Sequence, residues 1–439
     1  MYGYLGGDPR WIRGWGLPEG YGPAPGGGGP VMTEGTGVVG ATLGEPPAGR
    51  RLDRRSLVAA YYTSFVALGL FAGALGPTLP GLAEQTRVHL SEASLLLSAH
   101  GFGYAAGSLI AGRIYDRVAG HKIMAGALLI MCAAIATLPA LPWLWVLIAA
   151  VLIIAVAGGF LDVGANTLLI WTYGAKVAPA MNGLHLFFGV GSLISPLIVA
   201  QVILFRGDSR LTYWVLAPLM LPAAGWLLRL PSPSVPPADD TITGRVNWLL
   251  VGLLALFNFF SVGAESSFGN WLYTYSTTLG MVSKAGGAYL TSTFWAAFTL
   301  SRLFGVVAAM RWTPAQMLLG CVPGALVGVL GIVLLPGSSA ALWVGVIIFG
   351  LGLGPLFPAV FSLAGRATRV TGQVTSAIFV GGSLGMMSVP WLIGQFFEAA
   401  GPQSAMTTIM LCLAAALGLL VIVLDKARGA PRATDAASA

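Results

Sequence analysis

The sequence predicts an all-α membrane protein with twelve transmembrane helices in two six-helix bundles related as a pseudo-repeat. Three observations carry that prediction. The 439 residues are 56% hydrophobic and only 9% charged, with a mean hydropathy of +0.81, whereas soluble domains are about 25% charged. Apolar runs long enough to cross about 30 Å of hydrocarbon recur twelve times. The longest polar interval after the first of them, PSPSVPPADDTITGRV at 231–246, falls between the sixth and seventh runs and divides the chain into halves.

In order, the spans are expected near 56–80, 92–112, 123–141, 143–173, 181–205, 211–230, 247–276, 285–310, 315–335, 340–365, 372–396 and 404–425. The halves are then 51–230 and 247–426, joined by a cytoplasmic linker at 231–246. A shift of 191 residues superimposes Gly159 on Gly350, Gly174 on Gly365, Phe188 on Phe379 and Gly191-Ser192-Leu193 on Gly382-Ser383-Leu384. Such a parallel repeat places a binding site between the halves, near the bilayer midplane. Residues 1–50, with GPAPGGGGP at 22–30, read as a disordered cytoplasmic tail in which Met32 is a candidate native start, and 427–439 as a second tail.

The net charge of +7 would suggest nucleic acid in a soluble chain, but here the cations sit between the apolar runs. With both termini inside, the cytoplasmic loops hold Arg113, Arg117, Lys122, Lys176, Arg229, Arg245, Arg311, Arg366 and Arg369, against Arg87, Arg206, Arg210 and Lys284 outside. The positive-inside rule therefore places both termini in the cytoplasm, in a cell membrane. Cys132, Cys321 and Cys412 lie in separate apolar runs without a CxxC or a histidine pair, so neither a disulfide framework nor a metal site is expected.

Chemistry is expected where polar groups enter these runs. Asp162 lies in GGFLDVGAN, where an acid at bilayer depth costs at least about 2.5 kcal/mol and so marks a wet cavity or ion path by default. Asn166 follows one turn later on the same face, and Asn182 and His185 share a face of the next span. Glu265 is a second intramembrane acid, seven residues after Asn258 and followed by Asn270, Trp271, Tyr273 and Tyr275. Polar groups beside aromatic platforms suit a sugar, while an outer aromatic belt is the plainer reading of Tyr273 and Tyr275. Arg302, near the cytoplasmic end of the eighth span, reads as a snorkelling or gate residue. His89 and His121 fall in loops. GGSLG at 381–385 matches the nucleophile-elbow pattern but lies within an apolar helix without partners, so no enzyme is expected.

Between the second and third spans, AGRIYDRVAGHK carries Gly112, Arg113, Asp116, Arg117, Gly120 and Lys122. These resemble the G-x-x-x-D-R-x-G-x-[RK] loop of the major facilitator superfamily with one residue added before the second glycine, an acid among cations able to latch the halves together as a cytoplasmic gate. With SAHGFGY, LDVGAN, MNGLHLFFGVGSL, VGAESSFGNWL, AYLTSTFWAAFTLSRLFG and FPAVFSL, the chain resembles the fucose:proton symporter family within that superfamily, in the branch that looks like the sodium-dependent glucose transporters. The resemblance implies alternating access and cation-coupled uptake of a hexose-like monosaccharide. It also implies that Asp162 and Asn166 hold the coupling and sugar positions, that His185 lines the site, and that H+ or Na+ is the coupling ion, with no other cofactor and a possible Na+ site at Asp162. A small-molecule substrate, the lipid bilayer and a monomeric state complete these expectations, and nucleic acid is not among the partners. The first span departs from the family: it has no ionisable residue, Gly76 stands where the symporters carry an acid, and Glu265 becomes the candidate second charge. The alternatives are a proton-coupled exporter of amphipathic small molecules and a non-transporting sensor on the same fold.

Overall fold

The computed structural model describes residues 54–115, 117–233, 246–368 and 372–428. Asp116, most of the expected linker, the first expected tail and all but two residues of the second lie outside them. Twelve helices are long and apolar enough to cross a membrane: α1 Arg54–Thr86, α2 Leu90–Tyr115, α3 Gly120–Ala140, α4 Leu144–Tyr173, α5 Ala178–Arg206, α6 Leu211–Arg229, α7 Trp248–Thr278, α8 Lys284–Ala308, α9 Pro314–Leu334, α10 Ser339–Ala367, α11 Gln373–Ala399 and α12 Gln403–Lys426. The expected spans are all present. An even number of crossings leaves the start of α1 and the end of α12 on one face, called the near face below; the opposite face is the far face.

Local chemistry accounts for the helix ends. In the second half, Asn247, Ser283, Thr313 and Ser338 each accept a backbone N–H of the first turn through the side chain, satisfying a donor that would otherwise be orphaned. α10 breaks between Leu353 and Leu356, where Pro355 cannot continue the hydrogen-bond ladder. The broken turn rests on α8: a Cβ at Gly354 would meet the Phe298 carbonyl at 2.6 Å and the Arg302 amide at 3.1 Å. Side chains that face outward are largely apolar, as lipid contact requires, and exposed Trp143, Trp145, Trp214, Trp226, Trp248 and Trp312 stand toward helix ends, where aromatic belts form. Tyr273 and Tyr275 do not join a belt; they are 6% and 0% exposed, because that part of α7 is enclosed by its neighbours.

His121 also departs from expectation. It is not a loop residue but belongs to the first turn of α3, 2% exposed. Its Nε2 pairs with the Tyr61 hydroxyl at 2.7 Å and its Nδ1 with the Leu230 carbonyl at 3.0 Å. The imidazole thus ties α1 and α3 to the chain leaving α6, the kind of partnering a buried polar ring requires.

The halves meet mainly toward the far face. There the Glu398 carboxylate accepts from the Leu90 amide (3.1 Å) and the Ser91 hydroxyl (3.3 Å), with His89 Nδ1 at 3.6 Å. Gln395 donates to the Ser91 carbonyl at 3.0 Å, and Ser98 to the Met387 carbonyl at 2.9 Å. Further in, Gln201 donates to Tyr289 at 2.7 Å and Ser292 to the Leu193 carbonyl at 2.7 Å. Glycine makes this approach possible: a Cβ at Gly76 would sit 2.6 Å from Asn270 Cα, and one at Gly101 2.9 Å from Met387 Cα. The hydrogen bond from Arg302 to His185 described below joins the halves closer to the near face.

Candidate functional site

The acid of α4 is held by its neighbours. Tyr104 Oη on α2 donates to Asp162 Oδ2 at 2.7 Å, and Asn166 Nδ2 donates to Asp162 Oδ1 at 3.0 Å and to the Asp162 carbonyl at 2.9 Å. The backbone permits this because α2 and α4 touch through Gly159, whose Cβ would lie 2.5 Å from the Tyr104 carbonyl and 2.6 Å from the Ser108 amide. Asp162 is partly buried rather than sealed. Tyr104 was not singled out from the sequence, although its spacing from His100 puts both on one face of α2; His100 itself packs against Phe71, ring centroids 5.6 Å apart.

Across the interface, α8 presents Trp295, Thr299 and Arg302 at i, i+4 and i+7, one face of a helix. Arg302 does not reach toward the membrane surface. Its Nη1 donates to the His185 carbonyl of α5 at 3.4 Å, its guanidinium lies 4.6 Å from the Phe298 ring centroid, and its buried Nε–H has no acceptor among the described residues. The Trp295 Nε1–H is likewise buried without an acceptor, and the ring meets Phe188 of α5 edge-on at 6.3 Å. Most buried donors find a partner; among the described residues the other unpartnered buried polar side-chain atoms are the Gln85 amide oxygen and the hydroxyls of Ser108, Ser192, Ser195, Thr212, Ser267 and Thr274, so Trp295 and Arg302 are the two N–H donors among them.

Glu265 of α7 completes this part of the interior. Its carboxylate accepts no hydrogen bond from a described residue, and its charge interacts with that of Arg302. Arg302 also acts electrostatically on the His185 ring, which packs edge-on against Phe65 at 5.9 Å. Arg302 therefore links an acid of the second half to a histidine of the first.

The remaining expected residues lie elsewhere. Asn182, in the first turns of α5, is exposed. Asn258 is 2% exposed and spends its amide on the Ile378 carbonyl at 3.0 Å. Asn270 donates to the Ser266 carbonyl at 2.8 Å beside Gly76. Trp271 is fully buried, its Nε1–H donated to the Pro390 carbonyl at 2.9 Å, so it offers no free donor in this arrangement. Gly112, Arg113, Arg117 and Lys122 are exposed in or beside the near-face loop between α2 and α3. No group of three or more metal-ligating side chains occurs among the described residues.

Twelve spans in two bundles, with charged and unsatisfied polar groups enclosed between them, define a multi-pass membrane transporter. Residues 61–390 match the Major Facilitator Superfamily, and the chain belongs to that family of transporters rather than to any class of enzyme. It is 27% identical over 351 residues to the sodium-dependent glucose transporter 1 of Xenopus laevis, covering 73% of this chain and 72% of that one. It is likewise 27% identical to sodium-dependent glucose transporter 1A of Mus musculus, covering 76% and 88%. The human major facilitator superfamily domain-containing protein 4A is 24% identical, covering 82% and 90%. Among solved structures, the nucleoside transporter NupG superposes with a TM-score of 0.66 at 14% identity, over 84% of this chain and 99% of that one. A proton-dependent oligopeptide transporter does so with 0.68 at 15%, over 85% and 98%. At such identities these structures bear on the fold alone.

Proposed function

We propose that this transporter takes up a hexose-like monosaccharide together with a proton or sodium ion, by alternating access. The observation that carries the substrate class is the pair of buried donors on α8, Trp295 Nε1–H and Arg302 Nε–H, that lack protein acceptors. A polyol is rich in acceptors and satisfies such donors, while its hydroxyl protons suit a carboxylate with unused lone pairs, as at Glu265. The Trp295 ring adds an apolar face for the C–H side of a sugar. The similarity to relatives named sodium-dependent glucose transporters supports the same reading.

Asp162 is the proposed coupling residue. Its two oxygens are fixed by Tyr104 and Asn166, which leaves lone pairs for a proton or, with the Asn166 amide oxygen, for sodium. Closure at the far face and the scarcity of contacts between the halves toward the near face fit one end state of an alternating-access cycle. With the near face assigned to the cytoplasm by its cationic loops, that state opens inward. The protein is placed in the cell membrane with both termini inside, acting as a monomer and needing no cofactor beyond the coupling ion.

Counterflow of labelled monosaccharides in proteoliposomes, with pH and sodium varied separately, tests this proposal. Parent protein exchanges a hexose, and Asp162→Asn and Glu265→Gln lose ion-driven accumulation. Accumulation against a gradient by Asp162→Asn with unchanged ion dependence removes Asp162 from the coupling role. Exchange of a cationic dye but of no monosaccharide replaces the sugar reading with that of an exporter.

A further inference from the structure

We propose that the lipid-facing groove between α3 and α4 is a binding site for an anionic phospholipid, with Lys122 taking the headgroup and one acyl chain lying along the groove. The cavity measures about 380 Å³ and is lined by Lys122, Gly126 and Ile130 on α3 and by Ile153, Ala157 and Phe160 on α4, among others. From Lys122 to Ile130 the helix rises about 12 Å, so the groove leads from the near-face surface into the hydrocarbon, and Lys122 is its only charged lining residue.

Charge selects the occupant. Lys122 is exposed, and its ammonium has no partner among the described residues. It lies in the first turn of α3, which contains no acidic residue and whose N-cap, Ala119, offers no side-chain acceptor; among the described residues the side-chain acceptor there is the neutral Ser232 hydroxyl, 3.4 Å from the His121 amide, so no described anion faces the positive end of the helix dipole. Arg113 and Arg117 stand exposed in the preceding segment, and the one acid of the loop, Asp116, lies outside the described residues. A basic pocket between helices, at the membrane surface and continuous with an apolar channel, matches a phosphodiester headgroup carrying a net negative charge. A second groove of about 380 Å³, between α5 and α6, makes the contrast: it is lined by Ile194, Leu197, Phe205 and Val215 with Gln201 and no charged residue, so it can hold an acyl chain but has no means of selecting a headgroup.

The test uses the full chain purified from mixed micelles of phosphatidylglycerol and phosphatidylcholine, with retained lipid counted by native mass spectrometry. The parent is expected to retain phosphatidylglycerol about fivefold over phosphatidylcholine, the weight of one lysine near an anionic group. Lys122→Gln abolishes that preference while total lipid stays the same. Gly126→Phe, placed where a Cβ meets nothing within 4 Å, fills the groove and lowers retention of both lipids at an unchanged melting temperature in phosphatidylcholine. Equal retention of the two lipids by the parent, an unchanged preference in Lys122→Gln, or an equal loss of preference in Arg113→Gln overturns the site, the last because it reduces the effect to general surface charge. None of these readouts depends on transport.

Discussion

Gly76→Ala should open the far face. A Cβ built at Gly76 lies 2.6 Å from Asn270 Cα, 2.7 Å from the Asn270 carbonyl oxygen and 2.8 Å from the Gly269 carbonyl oxygen, whereas ordinary contact begins near 3.4 Å. The offending atoms are backbone, so no side-chain rotation relieves the overlap, and α1 and α7 must separate by roughly 0.8 Å. Forcing one methyl into so tight a contact costs about 1–3 kcal/mol. The penalty exists only while the far face is closed, so it acts on the conformational equilibrium as a factor of about 5 to 150 against closure. Spin labels on Glu92→Cys and Ala400→Cys, both exposed near the closed rim and placed in a background lacking Cys132, Cys321 and Cys412, report the distance by pulsed electron resonance. The variant should add or enlarge a long-distance population at unchanged fold. A distance distribution identical to that of the parent refutes the claim that this helix approach limits opening.

Four other outcomes follow from the same geometry. Glu398→Ala removes the acceptor shared by the Leu90 amide, Ser91 and His89; because Glu398 is 39% exposed the shift toward opening should be smaller than for Gly76→Ala, about fivefold or less, on the same labels. Trp295→Phe keeps an aromatic face, though a smaller one, and deletes an orphan donor, so the half-saturating sugar concentration in counterflow should rise about 2- to 12-fold; an unchanged value means that the N–H does not meet substrate. Tyr104→Phe removes a donor to the ionised Asp162 carboxylate, worth about 1.5–3 kcal/mol, and should shift the apparent affinity for the coupling ion about 10- to 150-fold with little change in melting temperature, toward tighter binding where that ion is a proton, because the charged carboxylate loses a stabilising partner. Asn258→Ala should instead lower thermal stability by about 1–3 kcal/mol, measured by melting in detergent, since its amide bridges α7 to the Ile378 carbonyl of α11.

Much of the fold was legible because the bilayer imposes a length and a polarity on each span. Asp162 and Glu265 were legible for the same reason: an acid inside such a run is costly. The hydroxyl that holds Asp162 and the unsatisfied indole donor of α8 were not. Tyr104 and Trp295 look like ordinary aromatic residues of apolar helices, and only the approach of α2 to α4 at Gly159, or the missing acceptor around Trp295, marks them. Arg302 near a helix end has the sequence signature of a snorkelling cation, yet the broken turn of α10 at Pro355 and the neighbouring α5 enclose it. Spacing along one helix says which side chains share a face, but not which neighbouring helix that face will meet. That explains why Asn258 and Asn270, polar at bilayer depth like Asp162, turned out to satisfy main-chain carbonyls.

That α1 carries glycine rather than an acid at position 76 has a steric cause. With the far face shut, Gly76 lies against the backbone of α7, and no side chain, an aspartate least of all, fits there without separating the helices. In this chain the second interior acid is Glu265, on the opposite half, with Arg302 beside it to offset the charge and to touch α5 at His185. Glu265→Gln would leave the Arg302 guanidinium without a counter-charge, and Arg302→Gln would leave the carboxylate so. If the pair acts as a unit, the double substitution should lose less transport than the sum of the two single ones. Additive losses in a double-mutant cycle of counterflow rates would separate the two residues and assign them independent roles.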